Sequence, residues 1–276
     1  MINIIIGKNS NLSKHLAKNI DNSYRVSSQN IESELNKIDL SDKKINIIFN
    51  NFQVSTKLND LSNPAEYINR AIMTTAKVLN YILDNNLNIN KIIYTSSSSV
   101  YGNNELCHES DPLQPLSLHS SLKIANERLI ESFAIKNRID YTITRIFNMY
   151  GGDDNFSIIS KIVKAYREDT ILNIFNNGSA TRDFIHIDDV VKVYKVILNE
   201  NINAPILNVG RGIERSVGEL ISFLESRGIF IKTKNKLRDE LKKSTADVSK
   251  LLNIMGGEEE FIKLKDYLLK EIIEEN

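Results

Sequence analysis

The run Thr95-Ser96-Ser97-Ser98-Ser99-Val100-Tyr101-Gly102 sets a row of hydroxyls where a β-branched stretch ends, and His119-x-x-x-Lys123 follows it. Residues four apart share one helix face, so the imidazole and the ammonium point the same way. Together these groups suit proton transfer at an oxygen. A serine hydroxyl can hydrogen-bond such an oxygen, the His119 imidazole can give or take a proton, and the Lys123 ammonium would tune the acid beside it. The ordinary histidine value is about 6.5, and a neighbouring ammonium disfavours the imidazolium. The plain alternatives are a polar strand terminus for the serines and a solvated surface lysine.

A second group lies at the N-terminus. Ile2-Asn3-Ile4-Ile5-Ile6 reads as a buried strand ending at Gly7, and a helix is expected over Leu12–Asn19. Ser10 and Ser13 stand where a G-x-x-G-x-x-G dinucleotide fingerprint would carry its later glycines. Gly7, Lys8, Ser10, Asn11 and Leu12 are therefore candidate cofactor contacts, against the alternative of an ordinary strand–helix turn. After the second strand, Val26 is followed by Ser27-Ser28, with no carboxylate for a ribose 2′-hydroxyl. Lys8 is within reach of a 2′-phosphate. That favours NADP(H); if Ser27 and Lys8 are only loop residues, NAD(H) stays open.

Strands at Tyr24–Val26, Ile45–Phe49, Lys91–Thr95 and Tyr141–Ile146 are needed to position these residues, with helices over Ala65–Asp84 and Ser120–Lys136 between them. The alternation predicts an α/β fold: a Rossmann-like, doubly wound parallel sheet with a smaller C-terminal substrate-binding lobe. Residues 1–150 are expected to form the dinucleotide-binding core and 151–276 mainly the lobe. In the lobe the pattern predicts helices Phe156–Glu168, Ile187–Leu198 and Val217–Arg227, strands Ile171–Phe175 and Ile206–Val209, and a final helix Glu258–Glu275. The stretch between Val26 and Ile45 is too short for another strand–helix unit.

The 35 basic and 35 acidic residues balance, leaving no field to attract nucleic acid or an acidic membrane. A lone cysteine, Cys107, closes no internal disulfide and offers no thiolate cluster to a metal. Met1–Ile6 lacks the basic and long apolar regions of a signal peptide, and no apolar run is long enough to span a bilayer, so a cytoplasmic protein is expected.

Several segments stand in one order. Ser96–Gly102 resembles S-S-x-x-V-Y-G; Asn63-Pro64, Tyr67, Glu109-x-Asp111-Pro112-x-x-Pro115, Lys123 and Glu127 are followed by Arg145-Ile146-Phe147-Asn148-Met149-Tyr150-Gly151. Gly178–Val190 matches G-x-x-x-R-D-F-I-H-V-D-D-V closely, and Leu207–Gly210 and Ala246-Asp247 complete the series. Nearly the whole chain thus resembles the extended short-chain dehydrogenase/reductases that act on nucleotide sugars. The resemblance implies that Ser97 bonds the reacting sugar oxygen and Lys123 binds the nicotinamide ribose. It implies a substrate site of Ser97, Ser98, Asn148 for the sugar nucleotide, Arg182 for its diphosphate and Arg238 as a second phosphate arginine. It also implies a homodimer through the two long helices. His186 and Asp188 are expected to hold their local turn.

The chain departs from that pattern at His119, where the family carries tyrosine, and at Ala71, where it carries an asparagine that orders the active-site backbone. Its compactness resembles the 4-keto-6-deoxyhexose reductases more than the longer 4-epimerases. The expectation is an NADPH-dependent reductase of a 4-keto nucleotide sugar in surface-polysaccharide synthesis. An NAD-dependent 4-epimerase and a non-catalytic binding protein on the same fold are the alternatives. His119 is a working acid, or another group serves (His108 and Cys107 stand nearest in sequence), or turnover is lost.

Overall fold

Isoleucine-rich strands are built to be covered on both sides, and the computed structural model places them so. It describes residues 1–51, 57–58, 60–199, 202–257 and 261–273. From the N-terminus run β1 (Ile2–Ile6), α1 (Asn11–Asn19), β2 (Ser23–Val26), α2 (Ile31–Leu35) and β3 (Ile45–Phe49). A helix in three parts follows: α3 (Pro64–Ile68), a π-turn (Asn69–Met73) and α4 (Thr74–Asp84). Then come β4 (Ile89–Ser97), a 3-10 turn (Ser98–Tyr101), β5 (Leu106–Cys107), α5 (Leu118–Asn137), β6 (Asp140–Ile146) and β7 (Asn148–Tyr150). The rest is α6 (Ile158–Arg167), β8 (Leu172–Phe175), β9 (Thr181–His186), α7 (Ile187–Asn199) and β10 (Ile206–Val209). Last are β11 (Glu214–Ser216), α8 (Val217–Glu225), β12 (Thr233–Lys236), β13 (Lys243–Ala246), α9 (Ser249–Met255) and α10 (Leu264–Ile273).

The chain forms two compact units. The first comprises Met1–Gly102, Pro112–Ile146 and Val191–Leu207; the second comprises Asn103–Asp111, Phe147–Val190 and Asn208–Asn276. In the first, a sheet of order β10-β6-β4-β3-β1-β2 has parallel pairing from β6 through to β2. This is a Rossmann-like α/β fold. Ile4, Ile6, Ile47, Phe49, Ile92 and Tyr94 form its core with Val78, Leu79 and Ile130 of the covering helices.

An asparagine ladder fixes the register of that sheet. Asn46 donates to Asn3 at 2.9 Å, and Asn90 donates to Asn46 at 2.8 Å. Asn90 is the extra residue of a bulge, since Ile45 faces Ile89 while Asn46 faces Lys91. Amides bonded to one another across neighbouring strands resist a slip of those strands.

The second unit has a sheet of order β11-β9-β13-β5 with β7 also on β9, and a parallel β12–β8 pair. Its core gathers Ile159, Ile162, Leu220, Leu224, Leu268 and Ile272 from α6, α8 and α10. The expected final helix is described over Leu264–Ile273, with 261–263 outside it; the expected ends at Glu258 and Glu275 lie outside the described residues.

Candidate active site

The serine run leaves β4 at the C-terminal end of the parallel sheet, where strand ends in open α/β sheets present their ligands. Ser96 is buried, whereas Ser97, Ser98 and Ser99 are half-buried. Ser97 Oγ accepts the Ser99 N–H at 3.2 Å and so caps the 3-10 turn. Ser99 Oγ in turn lies 3.5 Å from His119 Nδ1. α5 starts just before that histidine because Ser117 and Ser120 form a reciprocal capping box.

His119, Lys123 and Glu127 follow at i, i+4 and i+8 of α5 and share one face. Lys123 is no surface lysine. It is 7% exposed, donates from Nζ to the Thr95 carbonyl at 2.7 Å, and stands 5.0 Å from the centre of the Tyr94 ring. Burial pulls its ammonium down to about 7, opposed by the Glu127 carboxylate. Burial, and then the Lys123 charge, lower His119 to about 4. At neutral pH the imidazole is uncharged.

Behind these residues lies a buried ion pair. Glu127 accepts from Arg145 at 2.9 and 3.3 Å and from the Ser96 hydroxyl, while Arg145 reaches Tyr101 Oη at 3.0 Å. Both charged side chains are 3% exposed. The network ties α5 to β4 and β6 and fixes the height of Lys123 and His119. Thr95 and Thr144 each bond Tyr194 Oη at 2.7 Å, bracing the backbone that holds Lys123.

The missing asparagine at Ala71 is compensated from elsewhere. Ala71 lies within the π-turn, whose wider loop frees backbone carbonyls. Asn126 of α5 donates to the Ala71 carbonyl at 2.6 Å, and Asn51 donates to that of Arg70 at 3.4 Å. The active-site backbone is thus ordered by Asn126, three residues beyond Lys123, which sequence spacing did not reveal.

At the first turn, Gly7 adopts a φ of +104°, and a Cβ there would lie 2.6 Å from the Asn50 carbonyl oxygen. Ser10 caps α1 by accepting the Ser13 N–H at 3.1 Å. Its own proton is directed at Ser13 Oγ, and Asn50 donates to both hydroxyls at 2.7 and 2.9 Å. The serines therefore lock the turn to the end of β3. Anion contact is left to the opening of α1 at Asn11 and Leu12, the positive end of a nine-residue helix.

The expectation of no carboxylate at the end of β2 is corrected. Glu34, on the short helix α2, folds back to accept the Ser27 N–H at 2.7 Å. It also lies 3.5 Å from Lys8 Nζ, so the lysine expected to await a 2′-phosphate is already paired with an acid. The buried Ile31 and Leu35 are the signal that was available, since an apolar pair four apart turns Glu34 toward the strand end. A tight glycine turn, a helix N-terminus and an acid beyond β2 fit a dinucleotide with a free ribose 2′-hydroxyl.

In the second unit, Asn148 donates to the Asp183 carbonyl at 2.9 Å. Arg182 bonds the Thr181 carbonyl at 2.7 Å and stands 3.8 Å from Glu240. Burial lowers its guanidinium, Glu240 opposes that, and the charge of Arg238 adds to it, so the two arginines share one field. Arg238 is exposed and lies 4.9 Å over the Phe175 ring. His186 accepts the Asp188 N–H at 3.2 Å and packs edge-on to Tyr150, a turn-holding arrangement. Cys107 is buried, and His108 pairs with Asp247 at 3.4 Å. Among the described residues no group of His, Cys, Asp and Glu is placed to hold a metal ion, and no helix is long and apolar enough to cross a membrane.

The profile of the NAD dependent epimerase/dehydratase family matches residues 6–210. Protein CapI of Staphylococcus aureus is 33% identical over 137 residues, which is 48% of this chain and 40% of that protein. A putative UDP-glucose 4-epimerase of Methanocaldococcus jannaschii is 29% identical over 196 residues, 68% of this chain and 62% of that one. The chain covers less than two thirds of the length of either relative. A mutant UDP-glucuronic acid 4-epimerase from Bacillus cereus, solved with UDP-4-deoxy-4-fluoro-glucuronic acid and NAD, is similar at a TM-score of 0.79 and 25% identity. That likeness covers 99% of this chain and 98% of that one.

Proposed function

The chain belongs to the NAD dependent epimerase/dehydratase family, and from that premise we propose that it moves hydride at C4 of a nucleoside diphosphate sugar. The nicotinamide ring would supply that hydride. What carries the reading is the arrangement at the end of β4: Ser97 joined through Ser99 to His119, with Lys123 anchored on the Thr95 carbonyl. Ser97 holds the sugar oxygen, His119 handles its proton, and Lys123 holds the ribose. Loss of water from the sugar would need a base for carbon. The carboxylate bonded to the serine run, Glu127, is instead committed to Arg145.

The direction favoured is reduction of a 4-keto sugar. A neutral imidazole that protonates only near pH 4 is a weak base toward an alcohol, yet its N–H can hydrogen-bond and polarise a carbonyl oxygen, with water supplying the proton that completes the alcohol. Glu34 supports NAD(H) over NADP(H), because a 2′-phosphate would meet its carboxylate. Asn148 is assigned to the sugar nucleotide, and Arg182 and Arg238 to the diphosphate. Their shared positive field supports this, and Glu240 is a loose partner that phosphate oxygens would replace. Exposed Ile68, Met73, Leu83 and Ile135 on α3–α5 support pairing with a second copy.

The test offers the purified chain 4-keto-6-deoxy sugars on UDP, dTDP, CDP and GDP with NADH and NADPH, following nicotinamide absorbance. Oxidation of NADH by one of them is expected. A second reading, 4-epimerisation, is favoured by the hold of Glu34 on NAD. Firmly bound NAD after purification, with interconversion of a UDP-sugar and no net NADH oxidation, would establish it and overturn the reductase.

A further inference from the structure

A histidine in a tyrosine's place brings a problem the tyrosine does not have: its ring exists as two neutral tautomers, and only one presents hydrogen at the far nitrogen. The structure supplies a neighbour that selects between them. Ser99 Oγ is 3.5 Å from His119 Nδ1, the nitrogen nearer the backbone. Ser99 is itself fixed, since its N–H is held by Ser97 Oγ at 3.2 Å and it lies in the 3-10 turn that closes β4.

The direction of that bond follows from the surroundings. His119 is the second residue of α5 and so lies at the positive end of the helix dipole. A lone pair is favoured there and a hydrogen is not. The Lys123 ammonium one turn on opposes a second proton on the ring, so only one of the two nitrogens carries hydrogen. Ser99 therefore donates and Nδ1 accepts.

We propose that Ser99 is a positioning residue for His119, its hydroxyl holding the ring as the Nε2–H tautomer. The consequence for catalysis rests on the reading above, in which the His119 imidazole donates to the sugar oxygen, which this tautomer would do through Nε2. The tautomer itself does not rest on that reading.

The experiment is nitrogen-15 NMR of the full chain with labelled histidine at neutral pH, with the His119 signals assigned by their loss in His119→Gln. In the wild type Nδ1 should show the shift of an unprotonated, hydrogen-bond-accepting nitrogen. Ser99→Ala should give mixed tautomers, and Ser99→Thr, which keeps the hydroxyl, should restore the wild-type pattern. If a substrate is found, Ser99→Ala should lower kcat about tenfold with KM little changed, and Ser99→Thr should recover it. A hydrogen on Nδ1 in the wild type, or an unchanged His119 spectrum in folded Ser99→Ala, overturns the proposal. The wild-type spectrum decides this even if the alanine variant does not fold. The expected spectra with no C4 activity on any nucleotide sugar would instead defeat the functional reading and leave the tautomer assignment standing.

Discussion

Glu34 reaches back from α2 to the end of β2 and joins Lys8 to Ser27, with Oε1 3.5 Å from the ammonium and Oε2 2.7 Å from the Ser27 nitrogen. The Ser27 N–H, and then Lys8, hold its carboxyl below the ordinary value, so it is ionised at neutral pH. Glu34→Gln should weaken NAD binding about tenfold, the worth of one hydrogen bond to a charged acceptor. It should also bring NADP to comparable affinity by freeing Lys8. Titration calorimetry with both dinucleotides reads this directly. Tighter binding of NADP than NAD by the wild type would remove Glu34 from the ribose.

His119 carries a pH signature in stability. Its native value of about 4 lies below the ordinary unfolded value of about 6.5. The unfolded chain therefore binds the proton more readily, and the contribution present above about pH 6.5 is lost as pH falls toward 4. Other groups titrate in the same window, so the quantity to measure is the difference between wild type and His119→Phe in urea unfolding at pH 7 and pH 4.5. The wild type should lose about 1–2 kcal/mol more than the variant, allowing for partial exposure. Equal losses would mean that the imidazole is not held neutral.

The Glu127–Arg145 pair is predicted to be fragile to single changes. Removing one partner leaves the other charge buried, which costs about 3–5 kcal/mol. Glu127→Leu should therefore unfold at markedly lower urea concentration. Adding Arg145→Met should recover much of the loss by leaving no orphan charge. A double variant no better than Glu127→Leu would show that the ion pair itself, and not the absence of an unpaired charge, stabilises α5 against the sheet.

Why these residues differed in legibility is physical. The placement of Ser97 at a strand end and of His119 and Lys123 on one helix face was readable because these are local patterns, and the isoleucine-rich strands announced a buried parallel sheet. Glu34 was not, because it reaches the end of β2 only through the fold of a five-residue helix. The π-turn was hidden for another reason. Ile68, Ile72, Thr75, Leu79 and Ile82 keep a helical apolar rhythm through it, and Asn126, which bonds its freed carbonyl, is distant in sequence.

Asp183 gives the last prediction. It is fully buried, with Oδ1 accepting Arg211 N–H at 2.8 Å and Oδ2 accepting Gly212 and Ala246 N–H at 2.9 and 3.2 Å. A Cβ at residue 210 would lie 2.6 Å from Oδ2, so glycine there lets the loop close over the carboxylate. Asparagine turns an amide NH2 toward at least one of those N–H donors, as a protonated carboxyl does with its O–H, so Asp183→Asn should cost little at about pH 4. Burial lifts the carboxyl to about 6, the three N–H bonds opposing it. Because that lies above the unfolded value of about 3.9, the native state holds the proton longer, and this group's contribution falls as pH rises from about 4 to 6. Thermal melts across that range should show Asp183→Asn gaining stability relative to the wild type as pH rises. A wild-type advantage that instead grows with pH would mean that the N–H bonds outweigh burial and the carboxylate is ionised throughout.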